Sequence, residues 1–223
     1  MSDPPVASGT GAPPSGARRL VALVVVALAV VALDLGTKDW ALGALSHERT
    51  GSVPEACTVD HALTRARHAP IVLVAGHVSL EYTENCGGAF GLLGRSNEKL
   101  RFPFFVIVSI IAVGVIVSVY RRLERGQTLL AWALPLVLGG ALGNFYDRIA
   151  HRFVVDFIKV QLDEQWVWPT FNVADAAITV GVAFMLLDMM IKRRPEPVPA
   201  TVTPVVSEPP PRSSASDGDG HGA

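Results

Sequence analysis

The run LVALVVVALAVVALDLGTKDWAL, Leu20 to Leu42, decides the class of this chain. It opens with fourteen uncharged, almost wholly aliphatic residues and is then broken by Asp34 and Lys38. Its length matches the ~20 residues that an α-helix needs to cross a ~30 Å hydrocarbon layer. Three further apolar runs follow, at about 102–120, 128–146 and 171–191. Half of the 223 residues are hydrophobic and the mean hydropathy is +0.38, but the apolar residues are gathered in blocks and not spread at globular spacing. Blocks of this kind predict an all-α polytopic membrane protein with four transmembrane helices.

The segments around these runs divide the chain. Residues 1–17 and 195–223 are rich in Pro, Ser, Gly and Ala and hold too little bulky apolar surface to offset the entropy of ordering, so both are expected to be disordered tails. Residues 18–194 then form one membrane domain, with an outer cap at about 43–101. Within the cap, Gly43–Pro70 reads as irregular. Ile71–Tyr82 is β-branched and ends in the alternation Val78, Leu80, Tyr82, which predicts short strands. Arg18-Arg19 followed by Leu20–Leu33 also fits the first two regions of a signal peptide, with Ala41-Leu42-Gly43 as a weak cleavage site, although Asp34 and Lys38 have no place in one. Arg18 and Arg19, Arg121, Arg122 and Arg125, and Lys192, Arg193 and Arg194 all fall on one side of the four spans. By the positive-inside rule both termini are cytoplasmic.

Composition also excludes. A net charge of −1 without a basic, aromatic-interleaved patch gives no nucleic-acid partner. Two cysteines, Cys57 and Cys86, stand outside any C-x-x-C or His-cluster pattern, so neither a metal nor another cofactor is expected, and a disulfide between them stays open.

Polar residues within or beside the spans are costly and therefore informative. Asp34 and Lys38 lie four positions apart on one helix face in the favourable order for an ion pair, which by itself suits a snorkelling anchor at the membrane boundary. The segment Glu81 to Gly91 holds three glycines among its last residues, fit either for close approach to a ligand or for an ordinary hairpin. In Leu138 to Arg148, Gly139 and Gly143 form a small-x-x-x-small step, while Asn144, Asp147 and Arg148 share a face, where an Asp147 to Arg148 or an Asn144 to Arg148 network would end the helix. Asn172 and Asp175 fit the N-cap and third position of the last helix, a role that explains both without function. Trp166 and Trp168 suit an interfacial belt, and Asp188 beside Lys192 reads as a snorkelling residue. Capping does not explain Asp156, which stands between two valines and Phe157-Ile158 in the connection before the last span.

Taken together the motifs resemble those of the bacterial lipoprotein signal peptidases, the type II signal peptidases, over about Leu20–Ile191. The resemblance is carried by Asp34 with Thr37-Lys38; Asn85-x-Gly87-x-Ala89-Phe90; Gly139-Gly140-x-x-Gly143-Asn144-x-x-Asp147-Arg148; Val154-Val155-Asp156-Phe157; and Phe171-Asn172-x-Ala174-Asp175. It implies an aspartic endopeptidase of the plasma membrane, active near the outer face. Such an enzyme would remove the signal peptide of a prolipoprotein just before its lipid-modified cysteine, working as a monomer among membrane lipid. Asp156 and Asp175 would be its catalytic pair. Asp34, Lys38, Asn85, Gly87, Asn144, Asp147, Arg148 and Asn172 would support the site or hold substrate, with Asp147 structural. Cys86 departs from the commoner Thr, and Glu48–Pro70 is longer than the family's outer strands usually need. Two acids sharing one proton would supply base and acid at a single pH, with Asp175 at its helix N-terminus the ionised member and Asp156 the protonated one. The other class open to intramembrane acids is a small proton-coupled transporter, which lacks support here from any internal repeat or mid-membrane break.

Overall fold

A computed structural model describes residues 16–51, 53, 63–87, 98–124, 126–163 and 165–192. Four helices carry it: α1 (Gly16–Leu45), α2 (Glu98–Arg121), α3 (Thr128–His151) and α4 (Val173–Lys192). All four are long and apolar enough to cross a bilayer. Valines and leucines of α1, α2 and α4 point outward in numbers that water would not tolerate, among them Val21, Val25, Leu28, Ile107, Ile110, Ile111, Leu186 and Met190. Such a girdle belongs in lipid, where the helix is stable because it satisfies its own backbone.

The helices differ from the predicted spans at their ends. α1 begins inside the expected tail and runs three residues beyond Leu42. At 30 residues it is about 45 Å long, enough to carry its C-terminal end clear of the hydrocarbon. α3 does not stop at Tyr146 but continues to His151, so Asp147 and Arg148 lie inside it and do not end it. α4 starts at Val173, which leaves Phe171 and Asn172 outside the helix. Asp188 is buried near the inner end of α4 and is not a snorkelling residue. Residues 1–15 and 195–223 of the expected tails lie outside the described residues, as do Arg193, Arg194, Ala89, Phe90 and Cys57, and with Cys57 its pairing to Cys86.

Two small antiparallel sheets cap the end of the bundle at which α1 stops and α4 starts. One pairs β1 (Ser46–Glu48) with β2 (Arg65–Arg67), inside the stretch expected to be irregular. The other has the order β3–β4–β5, from β3 (Ile71–Val74), β4 (Val78–Asn85) and β5 (Val154–Val160). The cap is therefore not confined to 43–101, because β5 comes from the connection after α3. Arg152 makes this possible: it takes a left-handed conformation (φ 69°) and its N–H donates to the Arg148 carbonyl, so the chain leaves α3 and enters β5 within two residues.

Apolar contacts form two clusters. The inner one joins Leu23 and Ala27 of α1, Ile116 and Tyr120 of α2, Leu123, and Leu134 and Leu138 of α3. The outer one joins Ala41 and Leu45 of α1 with Tyr82, Phe153, Val155 and Phe157 beneath the sheet. On α1 and α3 the buried Asp34, Lys38, Asn144 and Asp147 fall between the two in sequence, and the buried Asp156 and Asn172 join them in one polar layer.

Candidate active site

Close helix approach creates this layer, and glycines permit it. A methyl group on Gly139 would meet Ala27 O at 2.7 Å on α1, one on Gly140 would meet Ile178 Cγ1 at 2.7 Å on α4, and one on Gly143 would strike the carboxylate of Asp34. Gly139 and Gly143 thus face α1 as the small-residue step predicts. Gly140, not singled out, faces α4.

Asp156 enters from the strand side. Residues β4 and β5 pair with Thr83 opposite Asp156 and Asn85 opposite Val154, so Asn85 is the diagonal neighbour of Asp156 on the same face. A bulge between Leu80 and Thr83 sets that register. On its other edge β5 bonds to Phe171, whose carbonyl accepts from the N–H groups of Phe157 and Ile158. That bond ties the strand to the chain two residues before α4, and Asp156 comes to the N-terminus where Asp175 sits.

The capping expected of Asn172 and Asp175 is present. Asn172 Oδ1 accepts from the Asp175 N–H at 2.9 Å and Asp175 Oδ2 from the Asn172 N–H at 3.4 Å. Capping and site-building are one arrangement, because the same Asn172 amide donates through Nδ2 to Asp156 Oδ1 at 2.6 Å. A single side chain bridges the two acids.

Three asparagines aim their NH2 groups at carboxylates. Asn172 does so with its oxygen held by the Asp175 N–H. Asn85 donates to Asp156 Oδ2 at 3.0 Å while its oxygen accepts from the Gly87 N–H at 3.0 Å. Asn144 donates to Asp175 Oδ1 at 2.7 Å while its oxygen accepts from Lys38 Nζ at 3.0 Å. Each oxygen is occupied by a donor, which fixes the NH2 toward its carboxylate, and the Asn172 NH2 also reaches Asn144 Oδ1 at 3.2 Å and Val155 O at 3.3 Å. Gly87 also accepts, through its carbonyl, from Arg148 Nη2 at 3.2 Å, and Arg148 Nη1 donates to Asn144 O at 3.0 Å. The Arg148 guanidinium lies over the Phe105 ring at 4.6 Å, which anchors the site to α2.

Two expectations are corrected. The Asp34–Lys38 ion pair exists at 2.7 Å, but both side chains are buried, at 0% and 2% exposed, and do not snorkel. Asp147 pairs with Lys38 at 3.1 Å and accepts the Val155 N–H at 3.0 Å, whereas Arg148 reaches the other way. Consecutive helical residues point about 100° apart and do not face each other.

Asp156 is 1% exposed, and burial, reinforced by the negative charge of Asp175, pushes its carboxyl up to about 7. Donation from Asn85 and Asn172 and the charge of Lys38 oppose that rise without cancelling it. Asp175 is half-buried and is the more accessible of the two.

Sequence reading missed Glu84. Its Oε1 accepts from Thr64 N, Thr64 Oγ1, Arg65 N and the Tyr82 hydroxyl at 2.7–3.3 Å, and Arg65 Nε in turn donates to Ser46 Oγ at 2.8 Å. This cluster pins β4, and so Asn85, to the outer end of α1. Only the buried side of β4, next to the Asn85 motif, could have signalled it.

The match to known proteins covers this whole arrangement. The family model Peptidase_A8, signal peptidase (SPase) II, fits residues 26–191. The lipoprotein signal peptidase of Geobacter sulfurreducens is 44% identical over 136 residues, 61% of this chain and 82% of that protein. The lipoprotein signal peptidase of Pseudomonas aeruginosa (strain UCBPP-PA14) is 43% identical over 124 residues, 56% and 73% of the two chains. That of Anaeromyxobacter sp. (strain Fw109-5) is 39% identical over 183 residues, 75% and 83%. In fold the chain is similar to a bacterial membrane enzyme solved by the in meso method at 2.3 Å, with a TM-score of 0.59 and 23% identity over 81% of this chain and 96% of that one.

Proposed function

Because the chain belongs to the signal peptidase II family and is a multi-pass membrane protease, we propose that it removes signal peptides from prolipoproteins by an aspartic mechanism in which Asp156 and Asp175 are the catalytic pair. The observation that carries this reading is the Asn172 amide bonded to both acids, nineteen positions apart in sequence. The Asn172 NH2 holds the Asp156 carboxyl while its oxygen holds the backbone of Asp175, and the Asp156 carboxyl, its proton affinity raised to about 7 by burial and the neighbouring Asp175 charge, is placed to act as the acid near neutrality.

The steps follow from that proton. The Asp175 carboxylate, oriented by Asn144, takes a proton from water, and the water oxygen attacks the scissile carbonyl carbon. Asp156 gives its proton to the carbonyl oxygen, forming a neutral gem-diol. On collapse, Asp175 passes its proton to the leaving nitrogen, the C–N bond breaks, and Asp156 recovers a proton from the diol. The pair returns to its starting state.

The substrate would be the lipid-modified prolipoprotein, cut just before its modified cysteine. A site at the outer ends of α1, α3 and α4 suits it, since an apolar signal peptide and acyl chains could stay in lipid while the bond meets the polar layer. The basic residues Arg18, Arg19, Arg121 and Arg122 at the opposite end support cytoplasmic termini and an outward-facing site. A single membrane domain acting as a monomer completes the reading.

Purified protein in lipid bilayers, mixed with a lipidated prolipoprotein, should release a peptide ending at the residue before the modified cysteine, as read by mass spectrometry. An intact substrate, or proton-coupled solute flux without cleavage, would contradict the proposal.

A further inference from the structure

The buried ammonium of Lys38 touches neither acid of the pair, yet everything it touches leads to one of them. It donates to Asp34 Oδ2 at 2.7 Å, to Asn144 Oδ1 at 3.0 Å and lies 3.1 Å from Asp147 Oδ2. Two hydrogen bonds and a further ion pair thus surround the ammonium.

The far side of each acceptor is the telling part. The other oxygen of Asp34 accepts the N–H of Ala174 at 2.8 Å, the residue before Asp175. Asp147 Oδ2 accepts the N–H of Val155 at 3.0 Å, the residue before Asp156. Asn144, its oxygen taken, offers its NH2 to Asp175 Oδ1 at 2.7 Å. The backbone just ahead of both acids is thus moored, through one carboxylate each, to a single cation on α1. β5 and the start of α4 have no other shared anchor of this kind among the described residues besides Asn172.

We propose that Lys38 is a positioning residue that fixes the spacing of Asp156 and Asp175 and the direction of the Asn144 amide. This rests on the assignment of those acids as the catalytic pair. Charge balance alone would need a cation somewhere in the layer. It would not need one whose contacts end on the residues preceding both acids.

Without the ammonium, Asp34 and Asp147 lose their common partner, and the Asn144 oxygen keeps only the Asn172 Nδ2 donor at 3.2 Å, so its amide is less firmly directed at the Asp175 carboxylate. Lys38→Met should therefore lower kcat on the order of 100-fold, the scale of a misplaced reacting group, while KM changes less than about threefold. Because two buried carboxylates would be left without their cation, the single variant risks unfolding. The triple variant Lys38→Met, Asp34→Asn, Asp147→Asn removes that strain and keeps acceptors for Ala174 and Val155. It should recover the thermal stability of the wild type but not its kcat. A triple variant with wild-type kcat would make Lys38 a charge compensator only and overturn the proposal, as would Lys38→Met with unchanged kcat. Asp156→Asn measured alongside separates the two claims: if it too is fully active, the catalytic assignment has failed; if it is dead while Lys38→Met is active, only the positioning role has.

Discussion

Helices α2 and α3 have 24 residues each and similar apolar content, yet they occupy opposite places in the bundle. α2 is a row of aliphatic and aromatic side chains, of which Phe104, Ile107, Ile110, Ile111 and Val115 face outward. α3 buries Pro135, three glycines, Asn144 and Asp147 beside Ala133, Leu134 and Leu138. In a water-soluble protein the more aliphatic helix would be expected at the centre. In lipid there is no hydrophobic gain from burying valine, so close approach and polar contacts choose the central helix instead. The difference teaches that in this chain small and polar residues, not large apolar ones, mark the part that matters.

Substitutions at the glycine contacts test that contrast most severely. Gly143→Ala would drive a methyl group into the Asp34 carboxylate that Lys38 and Ala174 hold, and Gly140→Ala would press on Ala174 O and Ile178. Overpacking of this kind costs about 1–3 kcal/mol and displaces the α4 N-terminus, so cleavage should fall about 100-fold with a lower Tm. Wild-type rates in a cleavage assay would show that the helices are not in the contact described.

A smaller effect is expected at the strand side. Asn85→Ala removes a hydrogen bond to Asp156, worth about 0.5–1.5 kcal/mol when the acid carries its proton, and should slow cleavage roughly 3- to 10-fold. That bond favours the ionised form of Asp156, so the variant should keep its proton to higher pH, and the alkaline limb of the pH–rate profile should move upward. A downward shift would contradict the assignment.

The wild-type profile itself has a defined sign. With Asp156 as the proton donor, kcat/KM should fall as pH rises through about 7. Stability should follow the same direction. A carboxyl whose folded-state value is raised above its unfolded value stabilises the fold at low pH and loses that contribution between about 4 and 7. Activity that stays flat to pH 9 would count against Asp156 as the acid.

The smallest effect belongs to α2. Ile110→Ala or Val115→Ala should leave cleavage within about twofold, since lipid fills the place of the lost methylenes. A tenfold loss at either would mean that α2 is not the lipid-facing helix described.

Much of this was legible in the sequence, for identifiable reasons. Uncharged runs of about 20 residues read as spans because nothing else tolerates them. The ten candidate residues, nine polar ones and Gly87, were named from five short motifs, and the structure brings all ten into one network of hydrogen bonds and ion pairs. Strand β5 was not legible. Val154 to Phe157 are all buried, so the period-two alternation that marks a half-exposed strand is absent, and its partner β4 lies some seventy positions earlier. The depth of Lys38 was hidden as well, because an i, i+4 ion pair has the same spacing on a surface as in a core. Asp147 and Arg148 looked like partners only because they are adjacent in sequence. Helical geometry sends one to Lys38 and the other to Gly87.

The central claim is that Asp156 and Asp175 work as one unit. Cleavage of a lipidated prolipoprotein by purified Asp156→Asn, Asp175→Asn and the double variant tests it most directly. Each single variant should lose at least about a thousandfold in kcat, and the double should be no slower than the slower single, as for residues that act together. A single variant that retains a tenth of wild-type activity, or losses that multiply in the double, would contradict it.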